Sequence, residues 1–276
     1  MTDKTKQEIT PKLIREFSYT EFVGFVNQWN VLPGAYSTLS KWAVHSRMGE
    51  DSRLLEIGCT TGFSSRELAT LTNCSGEAFD LSKLSVEMAK YNKKRYAPET
   101  DISYKVADGY KYKSQNNFTH IAVGASLKFF PDPEKMMNIC LDLLEDGGYI
   151  LASPFYVTSE IPDNLIKRAE KVFGITPTAE SYKEIMQLYN KLEIIYQDRN
   201  KLRKETEKEL EYYCKSTIDR ACEIRNIDDE ELYKVMFERL LEIKKMSNDL
   251  RPYQEYSTLV LRFRKSVYPN RFVELF

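Results

Sequence analysis

Short apolar runs and amphipathic segments alternate along residues 51–154. Apolar side chains that recur at three and four positions are typical of a helix with one buried face, whereas a short continuous apolar run is typical of a buried strand. Strands separated by helices form parallel sheets with both faces covered. The pattern therefore predicts a doubly wound α/β core. The predicted strands are residues 53–57, 77–79, 102–107, 118–123 and 149–153, and the predicted helices are residues 64–71, 82–95 and 133–144.

Helical patterns flank this core on both sides. Residues 11–29 have the period of one or two amphipathic helices, and residues 36–48 have that of another. After Pro154 the chain changes to long charged helices, interrupted by two β-type segments that we expect to form an antiparallel edge of the sheet. The late helices are predicted at residues 163–173, 179–190, 202–225 and 229–250, and the β-type segments at residues 192–196 and 257–264.

The charge balance disfavours two classes of partner. The 276 residues include 40 Lys and Arg against 41 Asp and Glu, a net charge of −1, without a block of like charges. A dedicated binder of nucleic acid or of anionic membranes carries a basic face or stripe, so a small partner fits better. We interpret Arg262, Arg264 and Lys265 as charges that protect an edge strand.

The cysteines and the first residues indicate a reduced compartment. None of the five cysteines belongs to a Cys-x-x-Cys pair, which disfavours both a disulfide framework and a zinc site. The N-terminus is polar, and no apolar run reaches the length that spans a bilayer. We therefore expect a cytoplasmic protein without a metal, with about the first ten residues disordered.

Candidate chemistry lies where the first predicted strand joins the first helix of the core. This stretch runs from Glu56 through Gly58, Cys59 and Thr60 to Gly62, and serines follow as candidate N-caps. Glycines in such a turn let the backbone approach a ligand, and the helix N-terminus presents free N–H groups. The same turn also occurs as plain packing, so by itself it leaves both interpretations open.

Acidic residues at the ends of two later strands favour the interpretation of this turn as a ligand-binding site. Asp80 ends the second predicted strand, 22 residues after Gly58. An acid at about this spacing accepts hydrogen bonds from ribose hydroxyls. Asp108 and Gly109 follow the third predicted strand, where an acid can meet an adenine amino group.

Four motifs in this order carry a family resemblance. They are Glu56-Ile57-Gly58-Cys59-Thr60-Thr61-Gly62, Asp80, Ala107-Asp108, and Phe129-Phe130-Pro131-Asp132-Pro133 leading to Leu144-Glu145-Asp146-Gly147-Gly148-Tyr149-Ile150-Leu151. Over about residues 35–155 the chain resembles class I S-adenosylmethionine-dependent methyltransferases. It looks most similar to the small-molecule branch that includes ubiquinone and menaquinone methyltransferases.

The resemblance implies an architecture and a cofactor. The implied fold is a doubly wound, mostly parallel, seven-stranded Rossmann-like sheet with an N-terminal helical lid and a helical cap inserted before the last strand. The corresponding divisions are residues 1–50 for the lid, 51–200 for the core, 201–250 for the cap and 251–276 for the final strand. S-adenosylmethionine is the implied cofactor. The implied cofactor-binding residues are Tyr36, Glu56, Gly58, Cys59, Thr60, Gly62, Asp80, Leu81, Asp108, Gly109 and Gly124.

The chain departs from the family pattern in two places. Thr60 stands where the family's turn usually has its middle glycine, and its Cβ narrows the space beside the methionine part of the cofactor. Residues 123–126, at the end of the fourth predicted strand, lack the acid that is frequent in the family. They also lack the Asn/Asp-Pro-Pro-aromatic signature of enzymes that methylate bases or glutamine amides, so those acceptors are disfavoured.

The acceptor is expected beyond the C-terminal ends of the fourth and fifth strands, between lid and cap. No catalytic residue is assigned, because neither histidine forms a recognisable triad, and His120 is predicted to be structural in mid-strand. Cys214 and Cys222 of the cap are predicted to be core residues rather than metal ligands. The predicted substrate-binding residues are Ser126, Lys128, Phe129, Phe155, Tyr156, Tyr212 and Tyr213.

Three alternatives to a small-molecule methyltransferase stay open. An RNA or protein methyltransferase would use the same cofactor core, and a non-catalytic protein of this fold would bind the cofactor without methyl transfer. An NAD-dependent dehydrogenase also uses a glycine turn and a ribose acid, but residues 56–62 lack its Gly-x-Gly-x-x-Gly spacing. The expected partner is a small methyl acceptor, with neither nucleic acid nor membrane favoured. The oligomeric state is open.

Overall fold

Every strand predicted between residues 51 and 154 is present in the computed structural model, which describes residues 9–268. The two later β-type segments also form strands, and both are longer than predicted. The eight strands of the described chain are β1 (Arg53–Ile57), β2 (Ser75–Asp80), β3 (Ile102–Val106), β4 (Phe118–Gly124), β5 (Leu144–Ala152), β6 (Phe155–Val157), β7 (Glu193–Lys201) and β8 (Gln254–Arg262).

The strand order favours a ligand site at the end of β1. Strands β1 to β5 are parallel, in the order β3-β2-β1-β4-β5. Strand β8 then pairs antiparallel with β5, and β7 pairs antiparallel with β8. The order reverses at β1, which pairs with β2 on one side and with β4 on the other. In open α/β sheets a ligand crevice forms beyond the strand C-termini at such a point.

The sheet has one strand more than the seven predicted, because one position in it is divided between two strands. Strands β5 and β6 lie on the same side of β8, where Ala152 pairs with Leu259 and Phe155 pairs with Tyr256. Pro154 stands between β5 and β6 and has no N–H to give to the ladder. The doubly wound, mostly parallel architecture is otherwise as predicted.

Helices cover both faces of the sheet. The ten α-helices of the described chain are α1 (Pro11–Glu16), α2 (Tyr19–Phe25), α3 (Ala35–His45), α4 (Phe63–Thr72), α5 (Lys83–Tyr96), α6 (Pro133–Leu143), α7 (Asp163–Phe173), α8 (Tyr182–Gln187), α9 (Glu207–Arg225) and α10 (Glu230–Leu250). On one face Trp42 of α3, Leu68 of α4 and Val86 of α5 are buried together. On the other face Met136 of α6 is buried in the same core as Ile185 of α8.

The N-terminal helices and the last two helices share a third apolar core. Phe22 and Phe25 of α2 are buried with Ile218 of α9 and with Met236 and Leu240 of α10. Burying such side chains contributes about 1.5–3 kcal/mol each. The segments predicted as lid and cap therefore stabilise one another, and removing either would expose the apolar face of the other.

Capping residues set the starts of two helices that differ from their predicted extents. The pattern over residues 11–29 is divided at Ser18, which accepts a hydrogen bond from the N–H of Glu21 and donates its own N–H to the Glu21 carboxylate at 2.9 Å. The pattern over residues 179–190 yields only the short α8, which begins after Ser181 with the same capping box. Capping fixes a helix start that an apolar period leaves uncertain by several residues.

His120 is a buried structural residue, as its mid-strand position predicts. Its ring stacks on Tyr149 with centroids 5.2 Å apart, and its Nε2 lies 3.2 Å from the carbonyl oxygen of Ser46. Burial lowers the pKa of this imidazole to about 4. The ring is therefore neutral at neutral pH.

Two predictions extend past the described residues. The predicted N-terminal disorder concerns mostly residues 1–8, and the predicted final segment 251–276 continues beyond Tyr268; both stretches lie outside the described residues. Within residues 9–268, no helix is both long and apolar enough to cross a membrane. The division into lid, core and cap at the stated boundaries stays a prediction.

The close packing of α2 on α5 gives a test of the fold. A Cβ added to Gly24 would lie 2.5 Å from the backbone nitrogen of Ser85. We expect Gly24→Ala to lower the free energy of unfolding by about 1–3 kcal/mol, the usual cost of overpacking. Urea unfolding measures this change.

Gly49→Ala is the matched control, because a Cβ there would meet nothing within 4 Å. It should change the free energy of unfolding by less than about 0.5 kcal/mol. If both alanine substitutions changed the free energy of unfolding by the same amount, the close contact between α2 and α5 would be contradicted.

Candidate active site

The glycine turn lies at the C-terminal end of β1, where the strand order reverses. Gly58, Thr60 and Gly62 have φ angles of +67°, +46° and +76°. Glycine adopts this region freely, but a threonine there is strained by about 1–2 kcal/mol. The N–H of Cys59 donates to the carbonyl oxygen of Phe79 at 3.0 Å, which ties the turn to β2.

Glu56 supports the start of the helix that follows the turn. Its carboxylate is buried and accepts a hydrogen bond from the N–H of Ser65 at 3.0 Å, in the first turn of α4. An acid at a helix N-terminus is stabilised by the free N–H groups and the helix dipole. Burial raises the pKa of Glu56 above its usual range, although the Ser65 hydrogen bonds oppose this.

Asp80 holds the turn from the neighbouring strand. Its Oδ2 accepts the N–H of Thr60 at 3.0 Å, and its Oδ1 accepts the N–H of Ser82 at 2.8 Å. The residue is 8% exposed, and burial raises the pKa of its carboxyl. A carboxylate has about four lone-pair sites, so both oxygens can accept a further donor.

The end of β3 lies beside Asp80. The N–H of Ala107 donates to the carbonyl oxygen of Asp80 at 3.0 Å, so Asp108 is brought to the same edge of the sheet. The Asp108 carboxylate accepts the N–H of Tyr110 at 3.0 Å and is half-exposed. Leu81, next to Asp80, is 75% exposed. Two predicted cofactor acids and an unpacked apolar side chain therefore meet at one place.

Gly109 is buried and closely packed. A Cβ added there would lie 2.9 Å from the ring of Phe130 and 3.1 Å from the sulfur of Met136. Gly109 thus lets the β3 loop pack onto the segment that precedes α6. Its role in the structure is close packing.

Strand β4 supplies the other wall of the turn. Gly124 ends the strand with φ +49°, and its carbonyl oxygen accepts the N–H of Ser153 at 2.7 Å. The hydroxyl of Ser126 lies 3.0 Å from the carbonyl oxygen of Ile57 and 2.7 Å from that of Val123. Ser126 therefore joins the ends of β1 and β4, and its proton is already engaged there.

A polar network connects the turn to the N-terminal helices. The side chains of Asn27 and Asn92 exchange two hydrogen bonds of 2.9 and 2.8 Å. Asn92 also donates to the carbonyl oxygen of Thr61 at 3.0 Å, and the Thr61 hydroxyl donates to that of Gln28 at 2.7 Å. No sequence pattern marks this network, because Asn27 and Asn92 are 65 residues apart.

Aromatic contacts cover the start of α4. Arg66 is 1% exposed, and its guanidinium carbon lies 4.3 Å from the ring centroid of Trp29. The ring of Tyr36 meets that of Phe63 edge-on at 5.2 Å, while 57% of Tyr36 stays exposed. Tyr36 therefore lies beside the turn, and its contact with the cofactor stays a prediction. The positions of Trp29 and Arg66 beside the turn are revealed only by the tertiary structure.

The predicted acceptor residues do not all come together. The Lys128 ammonium pairs with Glu180, and the ring of Phe155 packs 6.4 Å from that of Tyr256. Tyr156 is buried, and its hydroxyl donates to Glu255 at 2.9 Å and accepts from Arg199 at 3.1 Å.

The two predicted tyrosines of the cap lie apart from this group. Tyr212 of α9 is 76% exposed. The Lys244 ammonium lies 4.6 Å from the ring centroid of Tyr213, and burial raises the pKa of that tyrosine to about 12. Neither tyrosine lines the cavity that Phe129 lines.

This cavity, of about 270 Å³, lies between α1, α2, α7 and α10. We call it the lid cavity. A second cavity of about 350 Å³ is lined only by residues of α7 and α10, so it has no link to the sheet edge. The residues that line the lid cavity are Arg15, Phe17, Ser18, Tyr19, Thr20, Phe129, Lys171, Val172, Phe173, Gly174, Ile175 and Arg239.

Packing contacts link the lid cavity to the glycine turn on one side and to α5 on the other. Phe129 closes the short helical turn that Ser126 begins, and a Cβ on Gly58 would lie 3.1 Å from the Cβ of Ser126. On the other side, the Ser85 hydroxyl donates to the carbonyl oxygen of Thr20 at 3.3 Å. Among residues 9–268, no group of three or more His, Cys, Asp and Glu side chains is placed to hold a metal ion.

The family follows from a comparison with known domains. Residues 49–239, well over half of the chain, match the profile of a family described as a methyltransferase domain. The chain belongs to this methyltransferase family. The match confirms the methyltransferase predicted from the sequence, whereas the ubiquinone and menaquinone branch stays a prediction. A comparison of this chain with curated protein sequences found no match.

Solved structures share the fold of the methyltransferase. The MccD protein is 27% identical, with a TM-score of 0.68 over 85% of this chain and 100% of its own. A SAM-dependent methyltransferase from Geobacter sulfurreducens, solved with S-adenosyl-L-homocysteine, is 17% identical, with a TM-score of 0.67 over 88% of this chain and 97% of its own. Phosphoethanolamine N-methyltransferase 2 from Haemonchus contortus was solved with phosphomonomethylethanolamine and S-adenosylhomocysteine. It is 15% identical, with a TM-score of 0.65 over 91% of this chain and 61% of its own. These likenesses confirm the predicted Rossmann-like fold.

The two adjacent threonines of the turn should respond in opposite directions to the same substitution. Thr60→Gly removes a side chain from a left-handed φ of +46° and should raise the free energy of unfolding by up to about 1 kcal/mol. Thr61→Gly removes a buried hydroxyl that donates to Gln28 and should lower it by about 1–3 kcal/mol. Urea unfolding of both variants measures the signs. If Thr60→Gly lowered the free energy of unfolding as much as Thr61→Gly, the backbone strain inferred at Thr60 would be refuted.

Proposed function

We propose that the protein transfers the methyl group of S-adenosylmethionine to a small organic acceptor. The observation that carries the proposal is the buried Asp80 carboxylate, which the amides of Thr60 and Ser82 hold at the end of β2. The methyltransferase family match supports this cofactor, as do the neighbours from Geobacter sulfurreducens and Thiobacillus denitrificans, both solved with S-adenosyl-L-homocysteine.

The adenosine half of the cofactor would lie over the ends of β2 and β3. Ribose hydroxyls would donate to the lone pairs of Asp80 that the two amides leave free. Such donors favour the ionised carboxylate, and burial opposes it, so the ligand would relieve the raised pKa of Asp80. Asp108 would accept from the adenine amino group, and the exposed Leu81 would cover the adenine ring.

The methionine half would lie along the glycine turn. Backbone groups of Gly58, Cys59, Thr60 and Gly62 line the turn, and the positive φ angles keep its backbone close to the ligand space. Tyr36, at the start of α3, would reach the cofactor carboxylate from the lid side. Glu56 would act on the cofactor indirectly, because its hydrogen bond from Ser65 fixes the first turn of α4.

The chemistry requires positioning more than proton transfer. S-adenosylmethionine supplies an electrophilic methyl group on its sulfonium. The residues of the chain then have to hold the acceptor in line with it and exclude water, and proximity of this kind accounts for much of the rate enhancement of a two-reactant step. The helices α1, α2, α9 and α10, which share one apolar core, would cover the bound acceptor. No catalytic base is assigned.

The size of the lid cavity favours a small acceptor over a macromolecule. Its volume of about 270 Å³ is close to the lower end of ligand pockets. Methylation of RNA or protein, and cofactor binding without transfer, are the competing functions. Membership of the ubiquinone and menaquinone branch would make the acceptor a quinone precursor, which the second test below also examines.

The first test is cofactor affinity. Asp80→Asn keeps the side-chain size but loses the charge and one of the two acceptor oxygens, so S-adenosylhomocysteine should bind roughly tenfold to hundredfold more weakly, a loss of about 1.5–3 kcal/mol. Calorimetry measures the affinity, and thermal unfolding checks that the variant is folded. Asp101→Ala, at the opposite end of the sheet, is the control and should bind normally. Unchanged affinity in Asp80→Asn would remove Asp80 from the site.

The second test is the fate of a labelled methyl group. Purified protein and isotopically labelled S-adenosylmethionine are incubated with three fractions of a cell extract: small metabolites, RNA and protein. We expect the label in a small metabolite, with transfer reduced by Asp80→Asn. Label found only in RNA or protein would favour the macromolecular alternative. Cofactor binding without transfer to any fraction would favour the non-catalytic one.

A further inference from the structure

The lid cavity combines an aromatic lining with positive charge. None of its twelve lining residues, all within the described chain, is acidic, and three are basic. The basic residues are Arg15, Lys171 and Arg239, and the aromatic ones are Phe17, Tyr19, Phe129 and Phe173. A lining of this kind suits a ligand with an apolar body and an anionic group.

Arg239 is occupied by the protein itself. Its guanidinium donates to the carbonyl oxygens of Ile14 and Phe17 and so fixes the link between α1 and α2. Burial lowers the pKa of Arg239, while Glu242 and Glu21 are close enough to raise it. Its N–H groups are therefore engaged with backbone oxygens, and its role is to hold the wall of the lid cavity.

Arg15 and Lys171 provide the uncompensated charge. Both are exposed, and neither forms an ion pair with any residue between 9 and 268. Each also lies in the last turn of its helix, where a cation is stabilised by the helix dipole. The helix dipoles account for a cation at each helix end, but they do not account for the fact that both cations line the same cavity.

Tyr19 adds an unused donor inside the same cavity. Its ring meets that of Phe173 edge-on at 5.6 Å, and its hydroxyl has no hydrogen-bond partner in the described part of the chain. Burial raises the pKa of Tyr19, so the phenol keeps its proton. A neutral phenol beside two cations can donate to an anionic oxygen.

We infer that the methyl acceptor is an organic anion, a carboxylate or a phosphate ester, whose charged group is held by Arg15, Lys171 and Tyr19 while its apolar body lies against Phe129. This inference rests on the proposed methyl transfer. Phe129 is the wall of the lid cavity nearest in sequence to Ser126, which packs beside the turn. The anionic group would thus point away from the cofactor, and the apolar body would point toward it.

The test compares a carboxylate with the neutral amide of nearly the same shape and adds a phosphate ester as a second anion. Protein saturated with S-adenosylhomocysteine is titrated with indole-3-acetate, indole-3-acetamide and phenyl phosphate, and binding is followed by ligand-observed NMR. We expect at least one anion to bind tenfold or more tightly than the neutral amide. Which anion binds better distinguishes a carboxylate acceptor from a phosphate ester.

Single charge-removing variants assign the binding to this cavity. Arg15→Gln and Lys171→Gln should each weaken anion binding threefold or more, and Tyr19→Phe should weaken it to a lesser extent. Lys167→Gln, one turn earlier on α7, and Lys12→Gln, on α1, remove the same charge from exposed residues outside the lining and should have no effect.

The outcomes separate the two proposals. Equal binding of all three probes, failure of both anions to bind, or equal losses in the control variants would overturn the anionic acceptor. S-adenosylhomocysteine binding would then still support the methyltransferase. If S-adenosylhomocysteine itself does not bind in calorimetry, the proposed function fails first, and the inference fails with it.

Discussion

The hydrogen bond from the Thr60 amide to the Asp80 carboxylate sets the position of the glycine turn, and the rest of the site depends on it. Together with the bond from Cys59 N–H to the Phe79 carbonyl oxygen, it anchors a strained loop to a regular strand. The carboxylate is buried without a cation beside it in the described chain, so it is stabilised only by N–H donors. A buried acid in this state gains from further donors. The same interaction that shapes the turn therefore prepares it for a ligand with hydroxyl groups.

The turn is also coupled to the helices above it. Asn92 contacts both Thr61 of the turn and Asn27 of the lid, and Arg220 of α9 donates to the Asn27 carbonyl oxygen at 2.9 Å. Each bond is buried or half-buried, where an unsatisfied partner costs about 1–3 kcal/mol. The N-terminal helices thus cannot move away from the turn without disturbing α5 and α9. This arrangement ties the lid to the sheet edge at which we propose that the cofactor binds.

In the proposed function, cofactor and acceptor are bound by different parts of the chain. Most of the proposed cofactor residues lie at the strand ends of the alternating core, whereas the lid cavity is lined mainly by residues of α1, α2, α7 and α10. Proteins that share a fold differ in the sites that bind their substrates. Family membership therefore identifies the class of reaction, and in our proposal the lining of the lid cavity discriminates between acceptors.

The sequence by itself determined the alternating core, the turn from Glu56 to Gly62 and the acids Asp80 and Asp108, because each depends on residues close together in the chain or at a strand end of known position. It also predicted the antiparallel β7 and β8. Only the tertiary structure decided which aromatic residues form a cavity, since Tyr19, Phe129 and Phe173 come from segments far apart in sequence. It likewise placed Tyr212 in solvent, because the apolar period of α9 does not say which neighbour covers each face. Local patterns fix elements and their ends, whereas long-range packing decides what those elements enclose.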